Sequence, residues 1–579
     1  MSPQRNPRAA FPAGGVLAVA LGLALCAPRP KEAVAPPPAD RHTPHNYIGR
    51  RAMVVAAHPL AVEAGLEMLR RGGNAVDGAV ATAAALNAAE PFASGIGGGG
   101  FMVIHLAREN RTTVINFREK APHLASPRMF ADKGEEEREW RTSSGLGVAV
   151  PGALAGWDLA LRKYGTRTLA QALEGAIAIA EGGFELSSTF SDINKDEYER
   201  LVKNLPEGSV YLNEGLPYEP GDRFRNPDLA GTLRLIAARG PREFYEGEMA
   251  ARIVAAVREK GGVMTAADLA GYSAVEVEPL QGTYKGLKIL TAPPPASGGL
   301  HLIEFLNVIE GWPVREWGRN SAAYIHHLSE ALRLIFADRE RYVGDPDFVS
   351  IPVDRLISKE HARGLAARIR ADGPLDGYIA EELRRSQKGA ANTTHLCVLD
   401  EAGNIVALTQ SINDFFGTGI SPEGTGFLLN DHMDDFAADP GSVNAPAPGH
   451  RPVSSMGPLI MFRDGRAVLA LGSPGGLRIF SSLTQIILNV TEFGMGLDEA
   501  IEAPRFFSFS AGGKPGPIAV ESRFPAEVIA ALRALGQEVE VREAYDKYFG
   551  GAQGIMILRE KKIIHGGADS RRDGVGAGY

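Results

Sequence analysis

Between residue 53 and about residue 379 the apolar positions recur mostly at helical spacing. Residues 59–70 place Ala61, Ala64, Gly65, Met68 and Leu69 on one face, and Gly72-Gly73 ends the run. Residues 169–181 and 248–260 repeat that period, and 321–341 is the longest such stretch. Residues 101–107 and 112–117 read instead as two strands around a turn at Arg108-Glu109-Asn110. After residue 392 the period changes. Residues 393–399 alternate, turn at 401–404 and return through 405–412. Residues 458–462 and 467–471 flank Asp464-Gly465, and 553–558 faces 563–565 in the same manner. Helical patterns at 481–490 and 525–535 lie between these hairpins. Antiparallel strands interleaved with helices predict stacked sheets flanked by helices, an α+β arrangement. No internal repeat of solenoid period is present.

Composition narrows the class. The chain has 579 residues, 44% hydrophobic and 22% charged, which supports a large globular core. A net charge of −8 argues against a nucleic-acid partner. Cys26 and Cys397 are the only cysteines, so neither a disulfide framework nor a cysteine zinc site is expected. Residues 1–26 read as an export signal, with Arg5 and Arg8 before an apolar stretch from Phe11 to Cys26. Leu23-Ala24-Leu25-Cys26 is a candidate lipoprotein signal, although Leu25 is larger than the residue expected before a lipidated cysteine. Residues 27–46 then form a tether rich in proline and alanine. The expected location is outside the cytoplasm, in the periplasm or cell envelope, with the membrane reached only through an N-terminal lipid.

Some motifs mislead. Gly95, Gly97 and Gly100 fit G-x-G-x-x-G, but Pro91 spoils the preceding strand, and a strand rather than a helix follows. The segment 384–392 is polar, with small residues, and reads either as a surface linker or as a stretch destined for cleavage.

At its end stands Asn392-Thr393-Thr394-His395. A threonine hydroxyl needs a base to act as a nucleophile, and a free α-amino group with a pKa near 7.7–8.0 serves near neutrality. Thr393 gains that amine only if the bond after Asn392 is cut, and its own hydroxyl can make that cut through an ester. A Thr-Thr pair opening a strand is usually mere β-propensity, so the weight comes from the surroundings. Gly475-Gly476 in GSPGG allows two N–H groups to converge on one oxygen. Arg118 can clamp a carboxylate bidentately. Taken singly, each has an ordinary structural reading.

Together with GGNAVDGAV (72–80), GGGGFM (97–102), NFRE, VAVPG (148–152), PPPASGG (293–299), ADRERYVGDPDFV (337–349), FGTG (416–419), LLNDHMDDF (428–436) and RPVSSM (451–456), these residues resemble the γ-glutamyltransferases. The resemblance covers nearly the whole chain after the signal. It implies an N-terminal-nucleophile hydrolase fold: a four-layer αββα sandwich of two stacked antiparallel sheets between helices. It implies cleavage between Asn392 and Thr393 into a large subunit (47–392) and a small catalytic subunit (393–579) that stay together as a heterodimer. Thr393 would attack a γ-glutamyl amide such as glutathione, Gly475 and Gly476 would hold the oxyanion, and water or an amine would resolve the acyl-enzyme. Arg118, Ser454 and Ser455 would bind the substrate α-carboxylate, and Asn413, His432 and Asp435 its α-amino group. Thr409 and Ser411 would lie beside the nucleophile, with Ser411 supporting it. No cofactor or metal is implied.

Two departures bear on specificity. His432 replaces the usual Gln or Glu. A neutral imidazole accepts a hydrogen bond from an ammonium and an imidazolium does not, so donor binding is expected to weaken toward acid pH. The stretch 437–450 is short and lacks an aromatic residue, which points to an open lid and to hydrolysis over transfer. Both leave room for a cephalosporin (glutaryl) acylase or a poly-γ-glutamate hydrolase on the same fold, and an uncleaved envelope binding protein is the alternative of another class. Cys397 is expected to be core packing rather than a second nucleophile.

Overall fold

A computed structural model describes residues 46–375, 392–511 and 514–579. The export signal, the tether up to residue 45 and the linker 384–391 lie outside these residues. The alternating segments build two seven-stranded sheets. One runs in the order Val575–Gly578, Met53–Ala56, Asn392–Leu399, Ile405–Asn413, Gly99–Leu106, Arg111–Asn116, Val275–Val277. The other runs Asn46–Gly49, Ile563–Ala568, Gln553–Leu558, Arg466–Gly472, Leu459–Arg463, Leu287–Thr291, Leu280–Tyr284. Every neighbouring pair in both is antiparallel. The four hairpins expected from alternation are all present, within a few residues of their expected ends.

The two sheets face each other. Cys397, Leu399, Phe101, Val103, Ala407, Ile460, Ala470 and Ile555 fill the space between them. Period 2 sends the alternate residues Leu396, Val398, Val406 and Leu408 outward, onto a helical layer that includes Ala75–Ala89 and Ala153–Tyr164. The opposite outer face carries Ser297–Ile309, Ala322–Tyr342 and Ile479–Thr491. This is the four-layer αββα arrangement. Helix Ala75–Ala89 is buried on every side and is fixed by a capping box, in which Asn74 accepts from the Asp77 N–H and Asp77 accepts from the Asn74 N–H.

The first half is less helical than its periodicity predicts. Met53–Ala56, Val275–Val277, Leu280–Tyr284 and Leu287–Thr291 are strands, three to five residues long, too short to impose a readable period. Their placement matters, because each sheet takes strands from both sides of residue 392. Asn392–Leu399 itself lies between Met53–Ala56 and Ile405–Asn413. A cut before Thr393 therefore leaves two pieces sharing one apolar core, and parting them exposes that core to water.

Candidate active site

Thr393 is the second residue of a central strand and is almost fully buried. Its side chain, with those of His395 and Cys397, faces the other sheet. The register with Ile405–Asn413 slips between Asn392 and Thr394, a bulge that re-aims the chain at the scissile bond. The Thr393 hydroxyl donates to Ser411 Oγ at 3.4 Å, long for a hydroxyl pair. Ser411 in turn donates to the carbonyl oxygen of Asn392 at 2.5 Å and accepts from the Asn413 N–H at 2.7 Å. The Thr393 hydroxyl, the Ser411 hydroxyl and the Asn392 carbonyl thus form one connected chain, with Ser411 donating to that carbonyl. Asn413 holds its place with φ +76° and donates through Nδ2 to the Asp431 carbonyl.

Thr409 stands one pair further along, opposite His395. Its hydroxyl meets His395 Nδ1 at 2.8 Å rather than the nucleophile. Burial lowers the His395 pKa to about 3, which leaves this imidazole neutral and a weak base. Cys397 is fully buried and burial raises its thiol, which fits packing.

The run of glycines at 97–100 has a steric cause. A Cβ on Gly98 would lie 1.9 Å from the carbonyl oxygen of Ser411, so only glycine lets this segment rest against the strand that carries Ser411. Gly99–Leu106 is a strand, as expected, and not the helix a dinucleotide site needs.

Gly475 has φ +126°, open to glycine alone, and leads into the 3-10 turn Gly476–Arg478. Among the described residues, no other protein group engages the N–H groups of Gly475 and Gly476. The strand leading to this turn ends at Gly472, which packs against the His395 ring. Arg478 follows the glycines and lies within electrostatic reach of Arg572. Arg572 reaches Asn392 and Thr393 directly: Nη1 donates to the Thr393 carbonyl at 3.0 Å and Nη2 to Asn392 Oδ1 at 2.5 Å.

The surroundings of Arg118, the expected carboxylate clamp, are assembled from distant parts of the chain. Arg118 has 0% exposure and donates to the Pro452 carbonyl at 3.1 Å, to Glu119 Oε2 at 3.2 Å and to Asp435. Pro452 begins the segment bearing Ser454 and Ser455. That segment is pinned where the Ser454 carbonyl accepts from the Ser297 N–H at 2.6 Å and its hydroxyl at 2.9 Å. Asp435 is 27% exposed at its side chain, so the Arg118–Asp435 pair is open to solvent on one side. His432 Nδ1 lies 2.7 Å from Glu119 Oε1, close but poorly aligned for a hydrogen bond. Burial alone would raise the Glu119 carboxyl, but the neighbouring His432 and Arg118 outweigh it and hold the group below the usual range. A continuous path therefore links Thr393 through Ser411 and Asn413 to Asp431, whose neighbour His432 lies against Glu119, and Glu119 in turn accepts from Arg118, which also holds Asp435.

Sequence reasoning missed four contributors. Glu119 was legible only as the neighbour of Arg118 in NFRE. Asn430 donates to the carbonyls of Gly97 and Ala149, tying two of the quoted motifs together. Arg572 lies 179 residues from Thr393 and carries no local signal. Glu90 closes the buried helix Ala75–Ala89 and stands near Thr394 and Arg572.

Burial raises Glu90 to about 7, with the Arg572 charge and Thr394 only partly opposing it. Neither Glu90 Oε2 nor the Thr394 hydroxyl is aligned for a hydrogen bond. Because the folded value exceeds the unfolded 4.5, the folded state holds the proton more tightly. The contribution of Glu90 to stability is therefore greatest below pH 4.5 and declines as pH rises through 7, by about 3 kcal/mol. Glu90→Gln abolishes that decline. In denaturant titrations of the uncleaved Thr393→Ala chain, the Gln variant gains on its Glu90 parent by about that amount from pH 4.5 to 7.5. A difference that stays constant with pH contradicts the assignment.

Comparison with known proteins gives the family. The gamma-glutamyltranspeptidase family pattern matches residues 61–579. A glutathione hydrolase proenzyme of Pseudomonas sp. (strain A14) is 42% identical over 470 residues, 78% of this chain and 81% of that protein. The glutathione hydrolase proenzyme of Escherichia coli (strain K12) is 37% identical over 548 residues, 92% of this chain and 93% of its own length. Among solved structures, a cephalosporin acylase from Bacillus halodurans superimposes with a TM-score of 0.83 at 28% identity, covering 95% of this chain and 99% of that one. With the pattern spanning nearly all of the chain and relatives at this identity along most of their length, the chain belongs to the gamma-glutamyltranspeptidase family.

Proposed function

We propose that this enzyme is an autoprocessing glutathione hydrolase and γ-glutamyltransferase. The observation that carries the proposal is the connected set Thr393 Oγ1, Ser411 Oγ and Asn392 O. In maturation the Thr393 hydroxyl attacks the Asn392 carbonyl carbon, and the C–N bond gives way to an ester. Water hydrolyses that ester, leaving a carboxylate on Asn392 and a free amine on Thr393. The amine then serves as base for its own hydroxyl. In turnover Thr393 attacks the γ-carbonyl of the donor, and the N–H groups of Gly475 and Gly476 receive the oxyanion. The amine leaving group departs, and water or an acceptor amine releases the acyl group. Arg118, Ser454 and Ser455 take the donor α-carboxylate; Asn413, His432 and Asp435 take its α-amino group. For Arg118 this means exchanging its Asp435 contact for, or sharing it with, the incoming carboxylate. The large subunit is residues 47–392 and the small one 393–579. Export to the periplasm or envelope follows from residues 1–26, with lipidation at Cys26 as the means of attachment.

A glutaryl-type acylase is the second reading, favoured by His432 and by the likeness to a cephalosporin acylase. Within 437–450, Asn444 donates to the Asp435 carbonyl at 2.8 Å and accepts from the Val453 N–H at 3.2 Å. The shortness of 437–450 and its lack of an aromatic residue favour release of the acyl group to water. Side-by-side rates on γ-glutamyl and glutaryl donors, with and without Gly-Gly, decide between the readings. We expect γ-glutamyl donors to be preferred and hydrolysis to dominate at modest Gly-Gly, and His432→Gln to sharpen the preference for donors with an α-amino group. A glutaryl preference in the wild type reverses the first reading, and dominant transfer reverses the second expectation.

A further inference from the structure

A second polar cluster lies in the helical layer on the far side of the other sheet, and the activity makes no use of it. His301 and Glu304, three residues apart, share one face of helix Ser297–Ile309. Asp338 comes from helix Ala322–Tyr342 and His361 from helix Lys359–Ala366. His361 Nε2 lies 2.7 Å from Asp338 Oδ2 and 3.3 Å from Glu304 Oε1, and all three atoms fall within 4.8 Å of one another. Zinc bound tetrahedrally by nitrogen and oxygen at 2.0–2.2 Å holds its ligand atoms about 3.3 Å apart, so little movement is needed. Glu304 is fully buried, and its Oε1 has no aligned hydrogen-bond donor. Its other oxygen is held by His301 Nδ1 at 2.8 Å, the outer partner that commonly orients a metal-binding carboxylate. The side chains of His361 and Asp338 are 13% and 14% exposed, which gives an ion and a completing water a path in from solvent.

We propose that Glu304, Asp338 and His361 form a binding site for a divalent transition-metal ion of the zinc class, with His301 positioning Glu304. One imidazole with two carboxylates suits such an ion better than Ca²⁺ or Mg²⁺, which favour all-oxygen shells. Without the ion the same groups form a salt bridge, with the His361 proton between the carboxylates, and metal binding releases that proton to solvent. The ion joins three helices. It also braces the substrate clamp at a distance: Arg339, next to Asp338, donates to Ser297 Oγ at 3.1 Å, and Ser297 pins Ser454.

The test uses the full chain purified without a histidine tag, dialysed against EDTA, then given zinc chloride and dialysed again. Elemental analysis should find one zinc per chain. At a zinc concentration a hundredfold above Kd, the unfolding midpoint should rise by about 2 °C. Magnesium chloride should do neither. His361→Gln, at a partly exposed position chosen to preserve folding, and Asp338→Asn should each weaken zinc binding at least about tenfold while leaving the metal-free midpoint within a few degrees. If the wild type retains no zinc and its midpoint does not move, or if both variants retain zinc as the wild type does, the proposal is overturned and the cluster is an imidazolium held between two carboxylates.

Discussion

Thr393→Ala will give a single full-length band on a denaturing gel and lose at least about 10³-fold in activity. Both effects come from one atom. Oγ1 is the nucleophile for the Asn392 carbonyl, and without that cut the Thr393 nitrogen stays an amide and cannot act as a base. Thr393→Ser keeps the hydroxyl and is expected to mature more slowly and retain turnover. Ser411→Ala removes the donor at 2.5 Å from the scissile carbonyl oxygen. Loss of one such donor costs roughly 10²–10³-fold, so the uncut band should persist for correspondingly longer. Sequencing the wild-type small fragment should read Thr-Thr-His-Leu-Cys. Cleavage at that bond in Thr393→Ala would falsify the assignment of the nucleophile.

Arg572→Ala will slow maturation by roughly 10²-fold. Its guanidinium holds the Thr393 carbonyl and the Asn392 side chain, one group on each side of the bond to be cut. Hydrogen bonds to a charged group are worth roughly 1.5–3 kcal/mol, and about 1.4 kcal/mol is a factor of ten in rate. After the cut, Asn392 becomes a chain end, and only the contact to Thr393 still bears on the nucleophile. The defect should therefore be larger in the rate of fragment appearance than in kcat of whatever enzyme does mature. Following the small fragment on gels after cell-free synthesis measures the first, and active-site-normalised kinetics the second. Arg572→Lys should recover part of the maturation rate, because it keeps the charge but loses the two-pronged reach. Equal defects in both measurements, with no rescue by lysine, would reduce Arg572 to a general structural role.

How much of this was legible depends on how local each signal is. The hairpin carrying Thr393 was readable because two long runs suited to strands flank a polar turn at residues 401–404 that contains Gly403 and Asn404; Asp400 accepts from the Asn404 N–H at 2.9 Å. The strand Met53–Ala56 was not, because four apolar residues buried on every side show no alternation. The glycines at 97–100 advertised a close approach without saying to what, and the answer is the carbonyl of Ser411.

From the sequence alone, local period gave strands interleaved with helices, and the whole set of motifs that resemble the γ-glutamyltransferases, rather than any one of them, pointed to Thr393, to the Gly475-Gly476 turn, to Arg118 and to the four-layer fold. Only the tertiary structure decided that Ser411 donates to the Asn392 carbonyl while Thr409 meets His395, that Glu119 joins His432 to Arg118, and that Arg572 holds Asn392 and Thr393 with Glu90 beside Thr394. These are contacts between side chains far apart along the chain. Their partners are chosen by strand order and sheet stacking, and no single segment encodes either one.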